Sequence, residues 1–208
     1  MSSEMPPEIK KQVEKGISIL KKGGVIAFPT DTVYGLGACF DNIAAVERIY
    51  RIKQRQDDKG LPVLVANRQQ MDIVAASVPP LAEKMLKSFE TGSLTLILKK
   101  AASVPDIVTG GSDTVAVRIT AHPVATALIK GLGKPVVATS VNVSGKTSAL
   151  TAEEARSQFG DKIDLVIGGG RGGGGIESTI VDVTGDIPKI IREGAISRTE
   201  LENVCSII

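Results

Sequence analysis

The fold of this chain is decided by residues 25–37, which read VIAFPTDTVYGLG. The stretch begins with a short apolar run that predicts a buried strand ending at Pro29, and polar residues with two glycines follow. An amphipathic helix is predicted next, over residues 42–53, and a second apolar run at residues 61–66 predicts another strand. This strand–helix–strand order favours parallel pairing and an α/β fold.

The rest of the chain continues the same alternation, with no linker and no internal repeat. The aliphatic composition, with only 3% aromatic residues and no Trp, suits a sheet that is covered on both faces. We therefore expect a single α/β domain over residues 1–208, built on a twisted, mixed and largely parallel sheet with helices on its faces. Further helices are predicted over residues 9–20, 80–89 and 123–130 and from the capping signatures at Thr151 and Ser197, and further strands over residues 94–98, 114–119, 136–139, 165–167, 179–183 and 187–191.

Composition argues against several classes of function. The formal net charge is only +2, and the scarcity of aromatic rings disfavours a surface on which nucleic-acid bases stack. With His122 as its one histidine, the chain has no histidine cluster for a metal. Cys39 and Cys205 show no metal-ligand or disulfide spacing, and no apolar run approaches the ~20 residues of a membrane helix. A cytoplasmic protein with no membrane partner is the expectation.

The polar residues of the segment 29–37 come directly after the first predicted strand. Ligands of open α/β sheets bind beyond the carboxyl ends of strands, so this segment suits a binding loop with hydroxyls, a carboxylate and a phenol. A tight turn in which Thr and Asp bond to local backbone explains the same residues equally well.

Two cationic segments also suit a site. Lys53, Arg55 and Lys59 lie where they could close over phosphates, although cations favour a helix C-terminus for its dipole alone. Arg118 ends an apolar strand and needs a carboxylate, a phosphate or carbonyls as partner, so it indicates either a structural salt bridge or a substrate clamp. His122 precedes a predicted helix start, which favours a capping role.

Two further segments are rich in small polar residues or glycine. Residues 140–147, SVNVSGKT, are not a P-loop, because Ser140 replaces the required first glycine and the next predicted helix begins only near Thr151. Ser140 and Asn142 still suit hydrogen bonds to a nucleotide. Residues 168–175 contain seven glycines and precede a strand, so they indicate either a mobile loop that closes on a ligand or a passive connection.

In their order and type, these segments resemble the YrdC/TsaC family of threonylcarbamoyl-adenylate synthases over residues 17–195. Departures occur at Gln56, residues 91–93, Thr120 and Val141, and none removes a charged ligand-binding group. The chain looks like the short form, without the additional C-terminal domain of some members. The motifs that carry the resemblance are Pro29–Gly37, Lys53-Gln54-Arg55 with Lys59-Gly60-Leu61, Val115–Arg118 with His122-Pro123, Ser140-x-Asn142-x-Ser144-Gly145, Ser178–Asp182 and Arg192-Glu193-Gly194.

The resemblance implies an enzyme that converts L-threonine, bicarbonate or CO2, and ATP into threonylcarbamoyl-adenylate and diphosphate. A separate tRNA transferase would use this adenylate to modify the adenosine beside the anticodon. Mg²⁺ would accompany ATP with few protein ligands. No nucleophile or base is assigned. By resemblance, the residues that hold threonine are Thr30, Arg118 and Ser178, and those that hold ATP are Lys53, Arg55, Lys59, Thr114, Ser140, Asn142 and Arg192.

Two alternatives stay open at this point. The chain could be a non-enzymatic module that binds double-stranded RNA or tRNA, although its small net charge weighs against that. It could also form a carbamoyl-adenylate with a different acceptor. Weak binding of tRNA by the enzyme itself also stays open.

Overall fold

One mixed sheet organises the computed structural model, which describes residues 5–89, 91–143 and 147–208. Within these residues the sheet has nine strands in the order β7-β1-β2-β6-β3-β5-β4-β8-β9. The strands are β1 Ile26–Pro29, β2 Tyr34–Cys39, β3 Val63–Val65, β4 Leu94–Lys99, β5 Thr114–Ile119, β6 Val136–Ser140, β7 Leu165–Val166, β8 Thr179–Asp182 and β9 Lys189–Arg192. The helices are α1 Pro7–Lys21, α2 Ile43–Lys53, α3 Arg68–Val74, α4 Pro80–Ser88, α5 Asp106–Thr109, α6 Pro123–Leu132, α7 Ala152–Phe159 and α8 Arg198–Glu202.

The helix starts follow the capping chemistry that the sequence predicts. Ser197 and Glu200 form a complete capping box at α8, and Thr151 accepts a hydrogen bond from the backbone of Glu154 at α7. His122 caps α6, since its Nδ1 accepts a hydrogen bond from Val124 N at 3.3 Å. The predicted capping role of His122 is thus confirmed, and its Nδ1 atom is engaged in that cap.

The expected loop at residues 29–37 is largely a strand. Residues 34–37 belong to β2, which pairs antiparallel with β1 so that Pro29 lies opposite Tyr34. Gly35 and Gly37 concealed this strand, because glycine weakens a strand pattern. Gly37 nevertheless has a packing reason, since a Cβ there would lie 2.8 Å from both Phe28 Cε1 and Val137 O. Only residues 30–33 form the turn.

The prediction of a largely parallel sheet needs correction. Of the eight pairings among the described strands, five are antiparallel and three are parallel. The reason is β2, which turns back on β1 and then pairs with β6, so that β1 and β3 are neither neighbours nor parallel. The α/β class and the mixed character of the sheet are confirmed.

Helices cover the two faces of the sheet unequally. Along one face, the sheet contributes to a large hydrophobic core that includes Val46, Leu96 and Val181. On the other face, α1 and α6 form a second core, with Phe28 and Leu128, against the half of the sheet around β1. In the described parts of the chain this second core takes no residue from β4, β5, β8 or β9. That half of the face is left open and forms the floor of a cavity.

No helix in the described ranges is long and apolar enough to cross a membrane.

Candidate active site

A cavity of about 310 Å³ lies over the open half of the sheet face. A neighbouring cavity of about 480 Å³ shares Arg55 and Ser140 with it, and a smaller one of about 140 Å³ shares Ala116. The structure therefore brings all ten predicted ligand residues onto one continuous surface. The first cavity is lined by Thr30, Arg55, Arg118, Ser140, Ser178 and Arg192, the second adds Lys53, Lys59 and Asn142, and the smallest contains Thr114.

The turn between β1 and β2 supplies one wall of the cavity. The Thr30 hydroxyl is buried and donates to Val33 O at 2.7 Å, so the tight-turn interpretation of this segment is correct. Asp31 is not part of the cavity lining, and its carboxylate accepts hydrogen bonds from Thr120 Oγ1 at 2.5 Å and from Ala121 N at 2.9 Å. Thr120, one of the departures from the family pattern, thus ties the turn to the end of β5.

Arg118 lies on β5 at the floor of the cavity. Its Nη1 donates to Thr32 Oγ1 at 3.1 Å, and in the described part of the chain no carboxylate lies within 4.0 Å of the guanidinium. Burial lowers the pKa of Arg118, and Asp31 partly offsets this, but a guanidinium stays charged in proteins. The salt-bridge interpretation of Arg118 thus finds no partner among the residues that the structure describes, and Arg118 lines the cavity.

Thr95 and Ser178 line the same cavity as Arg118. Thr95 is on β4, which pairs with β5, and Ser178 immediately precedes β8 on the other side of β4. Their hydroxyl oxygens are 2.7 Å apart and both residues are buried. The sequence analysis missed Thr95 because a single hydroxyl in an apolar strand is an ordinary feature. In the structure Thr95 precedes Leu96, which pairs with Val117, so the register of the two strands places Thr95 next to Arg118.

Arg192 leaves the edge strand β9 and reaches the rim of the same cavity. Its Nη2 donates to Ser178 O at 2.8 Å, and its Nη1 forms an ion pair with the carboxylate of Glu177. The Arg192 Nε atom is buried and has no partner among the residues that the structure describes. Glu177 also lines the cavity, and the sequence analysis did not select it.

Lys53 is buried beneath the loop that follows β6. Its ammonium donates to Asn142 O and Asn142 Oδ1, each at 2.8 Å, and to Ser140 O. Burial, reinforced by the positive charge of Arg55, lowers the pKa of Lys53 to about 8. This side chain crosses from α2 to β6 rather than returning to its own helix end, so the helix dipole does not explain its position. It fixes the loop that carries Ser140 and Asn142.

Arg55 and Lys59 lie on the connection between α2 and β3. Arg55 Nε donates to Lys59 O and its Nη2 to Gly60 O, each at 3.0 Å, and its remaining nitrogen Nη1 is not used by these bonds. Gln54 turns the chain out of α2 with a left-handed φ of 50°. Thr114 is the first residue of β5, and its hydroxyl oxygen is 2.9 Å from Ser112 Oγ.

The glycine run at residues 168–175 braces the turn at residues 30–33. Gly173 N donates to Thr30 O at 3.1 Å, and Gly172 N donates to Leu150 O at 2.7 Å. The buried Tyr34 hydroxyl donates to Gly170 O at 3.0 Å, and burial raises the pKa of Tyr34 to about 12. The run is thus a hydrogen-bonded support for the turn that carries Thr30.

Ser144, Gly145 and Lys146, which belong to another predicted motif, lie outside the described residues.

The fold and this cavity define an α/β domain whose open sheet face combines three arginines with a group of hydroxyls. Residues 18–194 match the family model Sua5/YciO/YrdC, described as "Telomere recombination". The chain belongs to the Sua5/YciO/YrdC family, which confirms the resemblance that its motifs carry.

Several relatives are named threonylcarbamoyl-AMP synthase. That of Pyrococcus abyssi is 42% identical over 89% of this chain and 54% of the relative, and that of Bacillus subtilis is 40% identical over 93% of this chain and 56% of the relative. The crystal structure of P. abyssi Sua5 complexed with L-threonine superposes with a TM-score of 0.90 at 39% identity, over 94% of this chain and 58% of the other. The chain thus spans a little over half the length of these relatives.

Proposed function

We propose that this chain is a threonylcarbamoyl-AMP synthase, which joins L-threonine, CO2 from bicarbonate, and the AMP part of ATP, with release of diphosphate. The observation that carries the proposal is Arg118, a half-buried guanidinium that faces the cavity and has no carboxylate within 4.0 Å in the described residues. The carboxylate of an amino acid is the partner that such a fork accepts with two bonds. The names of the relatives and the threonine complex of P. abyssi Sua5 support the same substrate.

The proposed reaction has two bond-forming steps. The amine of threonine attacks CO2 and loses a proton, which gives a carbamate, and a carbamate oxygen then attacks the α-phosphorus of ATP as diphosphate leaves. Such chemistry depends on alignment and on neutralisation of charge more than on a protein nucleophile. Thr30, Arg118 and Ser178 would hold the amino acid, while Arg55 and Arg192 would neutralise the phosphates.

The remaining predicted residues would act at the nucleotide end. Ser140 and Asn142 offer hydrogen-bonding groups at the end of β6, and Lys53 would act mainly by holding their loop in place. Lys59 is exposed beside the second cavity and would meet the outer phosphates. Thr114 is farther along β5 and would contribute least.

Mg²⁺ would reach this site with the nucleotide. In the described residues no group of three or more His, Cys, Asp or Glu is arranged to hold a metal, and the carboxylate that lines the main cavity, Glu177, is paired with Arg192. These residues fit a cation that stays on the phosphates and keeps most of its waters. The bound Mg²⁺ would supply charge neutralisation at the polyphosphate.

The test is a reaction with ATP, bicarbonate and threonine, in which diphosphate release is measured and the adenylate is identified by mass. We expect diphosphate only when all three substrates are present, and a product with the mass of threonylcarbamoyl-AMP. Equal release without threonine would contradict the proposal and indicate another acceptor. Each of the other amino acids in place of threonine tests that alternative directly.

The product would pass to a separate transferase that modifies tRNA. We expect the purified chain alone to leave tRNA unmodified, because residues 18–194 match one family domain and the proposal assigns adenylate formation to that domain. Threonylcarbamoyl transfer by this chain alone would contradict the proposal that a separate transferase modifies the tRNA.

A further inference from the structure

The charges around the main cavity are unequal. Of the described residues that line it, three are arginines, Arg55, Arg118 and Arg192, and a single one, Glu177, is acidic. An amino acid carries an ammonium as well as a carboxylate, and a buried or half-buried ammonium needs an opposite charge or acceptor oxygens. Glu177 is the one carboxylate in this lining that offers such a charge.

In the structure, which has no ligand, Glu177 is already engaged. Its Oε2 is paired with Arg192 Nη1, and the side chains of the pair are 47% and 39% exposed. Ion pairs at that exposure are weak because water screens them and both side chains lose freedom. A phosphate, with more charge than a carboxylate and three acceptor oxygens, competes well for the same guanidinium.

We propose that Glu177 determines specificity for an α-amino acid by exchanging Arg192 for the substrate ammonium when a nucleotide binds. The phosphates of ATP attract Arg192, and the released carboxylate of Glu177 then receives the ammonium of threonine, before the amine reacts. This inference rests on the proposed function, since it assigns the second charge of the proposed substrate. It makes ATP and threonine bind cooperatively.

The sheet register supports this exchange. Arg192 pairs with Ile180 on β8, Ile180 pairs with Thr95 on β4, and Arg118 lies on the next strand, β5. Three strand spacings separate the two arginines, which is roughly 14 Å between their backbones. Glu177 and Ser178 immediately precede β8, which lies between the strands of the two arginines. An amino acid whose carboxylate is on Arg118 can therefore place its ammonium on the side of Glu177.

The experiment measures threonine affinity by calorimetry with and without α,β-methylene ATP, in the absence of bicarbonate. The proteins are the unmodified chain, Glu177→Gln, Arg192→Gln and the control Glu193→Gln, which removes a neighbouring exposed carboxylate that does not line the cavity. A second ligand is 2,3-dihydroxybutanoate, which keeps the carboxylate and the side chain of threonine but has a hydroxyl in place of the ammonium.

We expect the nucleotide to raise threonine affinity of the unmodified chain by about tenfold, within the usual range of coupling between sites. Glu177→Gln binds threonine weakly in both states and no longer prefers it to the hydroxy acid. Arg192→Gln, in which Glu177 is always released, binds threonine without nucleotide almost as well as the unmodified chain does with it. Glu193→Gln behaves like the unmodified chain.

Unchanged threonine affinity and unchanged coupling in folded Glu177→Gln would overturn the inference and leave the proposed function standing. Should Glu177→Gln fail to fold, equal affinity of the unmodified chain for threonine and the hydroxy acid would overturn it instead. If the unmodified chain binds threonine in neither state, the proposed function itself is wrong.

Discussion

Gly173 lies so close to Asp31 that the two backbones leave no room for a side chain. A Cβ built on Gly173 would be 1.8 Å from Asp31 O, and real atoms cannot approach that closely. The contact accompanies the hydrogen bond from Gly173 N to Thr30 O. The glycine run and the turn that carries Thr30 therefore form one rigid unit, in which a loop far along the sequence positions a residue of the candidate site.

Gly173→Ala tests this relationship. The added methyl group must push the glycine run away from the turn, so we expect a loss of about 1–3 kcal/mol in the free energy of unfolding, as for other overpacked sites. Threonine affinity should fall at least fivefold, because Thr30 loses its support. The measurements are a denaturant titration and calorimetry with threonine.

The adjacent Gly174→Ala is the matched control. A Cβ at Gly174 has no atom within 4 Å, and its φ lies outside the left-handed region. We expect this variant to keep its stability within about 0.5 kcal/mol, as is usual for surface changes. Equal behaviour of the two alanine variants would show that the glycine run does not support the turn.

Lys53→Ala should mainly lower folding stability, whereas Arg55→Ala should mainly lower nucleotide affinity, although both substitutions remove neighbouring cations. Lys53 is 1% exposed and donates to three acceptors, so its removal leaves buried oxygens unpaired and costs about 3 kcal/mol of folding stability. Arg55 is only partly buried, and its loss should cost about 1 kcal/mol of stability or less. Nucleotide affinity of Arg55→Ala should fall about tenfold.

A thermal melt and an ATP titration on each variant measure these two effects separately. A stable Lys53→Ala protein with normal melting would contradict the buried role of the lysine. Normal ATP affinity in Arg55→Ala would instead return Arg55 to the role of a simple cation near a helix end.

Tyr34→Phe should change the dependence of stability on alkaline pH. Burial raises the pKa of the Tyr34 hydroxyl from 10.0 to about 12, so the unfolded chain loses this proton at a lower pH than the folded chain does. The unfolded state then binds fewer protons between pH 10 and pH 12, and the stability of the unmodified protein falls across that window. Tyr34→Phe lacks this contribution.

At neutral pH we expect Tyr34→Phe to be about 1 kcal/mol less stable, because the hydrogen bond to Gly170 O is lost. Near pH 12 this deficit should vanish or reverse, since the unmodified chain has by then lost about 2–3 kcal/mol through the tyrosine. Denaturant titrations of both proteins at pH 7, 10, 11 and 12 measure the difference. A constant difference across this range would show that Tyr34 titrates normally.

Among the described residues, the sequence predicted six of the eight α-helices, without α3 and α5, and it predicted the sheet only in part. Helix starts such as Ser197 and Thr151 depend on local capping chemistry, which a short stretch of sequence contains. The strand β2 was missed because Gly35 and Gly37 have a packing reason that is visible only once Phe28 and Val137 are beside them. Strand direction depends on these non-local pairings, so the share of parallel strands was overestimated.

The residues of the candidate site were also predicted only in part. Residues with an unusual type for their position, such as Arg118 at the end of an apolar strand, were recognised from the sequence. Thr95 and Glu177 were not, because hydroxyls and carboxylates are common in any chain and only the register of β4, β5 and β8 places these two beside the cavity. The partner of Arg118 was also undecided until the structure showed Thr32 there.

Arg118→Lys tests the residue on which the proposed function depends most. Lysine keeps the positive charge but loses the planar fork that holds a carboxylate with two parallel bonds. Because Arg118 has no carboxylate partner within 4.0 Å in the described chain, the substitution breaks no internal ion pair, and its one hydrogen bond, to Thr32, is within reach of an ammonium. We expect the melting temperature to change by only a few degrees, which corresponds to about 1 kcal/mol or less.

Threonine affinity of Arg118→Lys should fall about tenfold or more, as expected when a two-bond charged contact becomes a single one, while ATP affinity stays near that of the unmodified chain. The control is Arg156→Lys, which changes an exposed arginine paired with Glu153 on α7. Calorimetric titrations with each ligand on both variants give the comparison. Unchanged threonine affinity in folded Arg118→Lys would mean that the guanidinium does not bind the amino-acid carboxylate, and the proposed site for threonine would have to be abandoned.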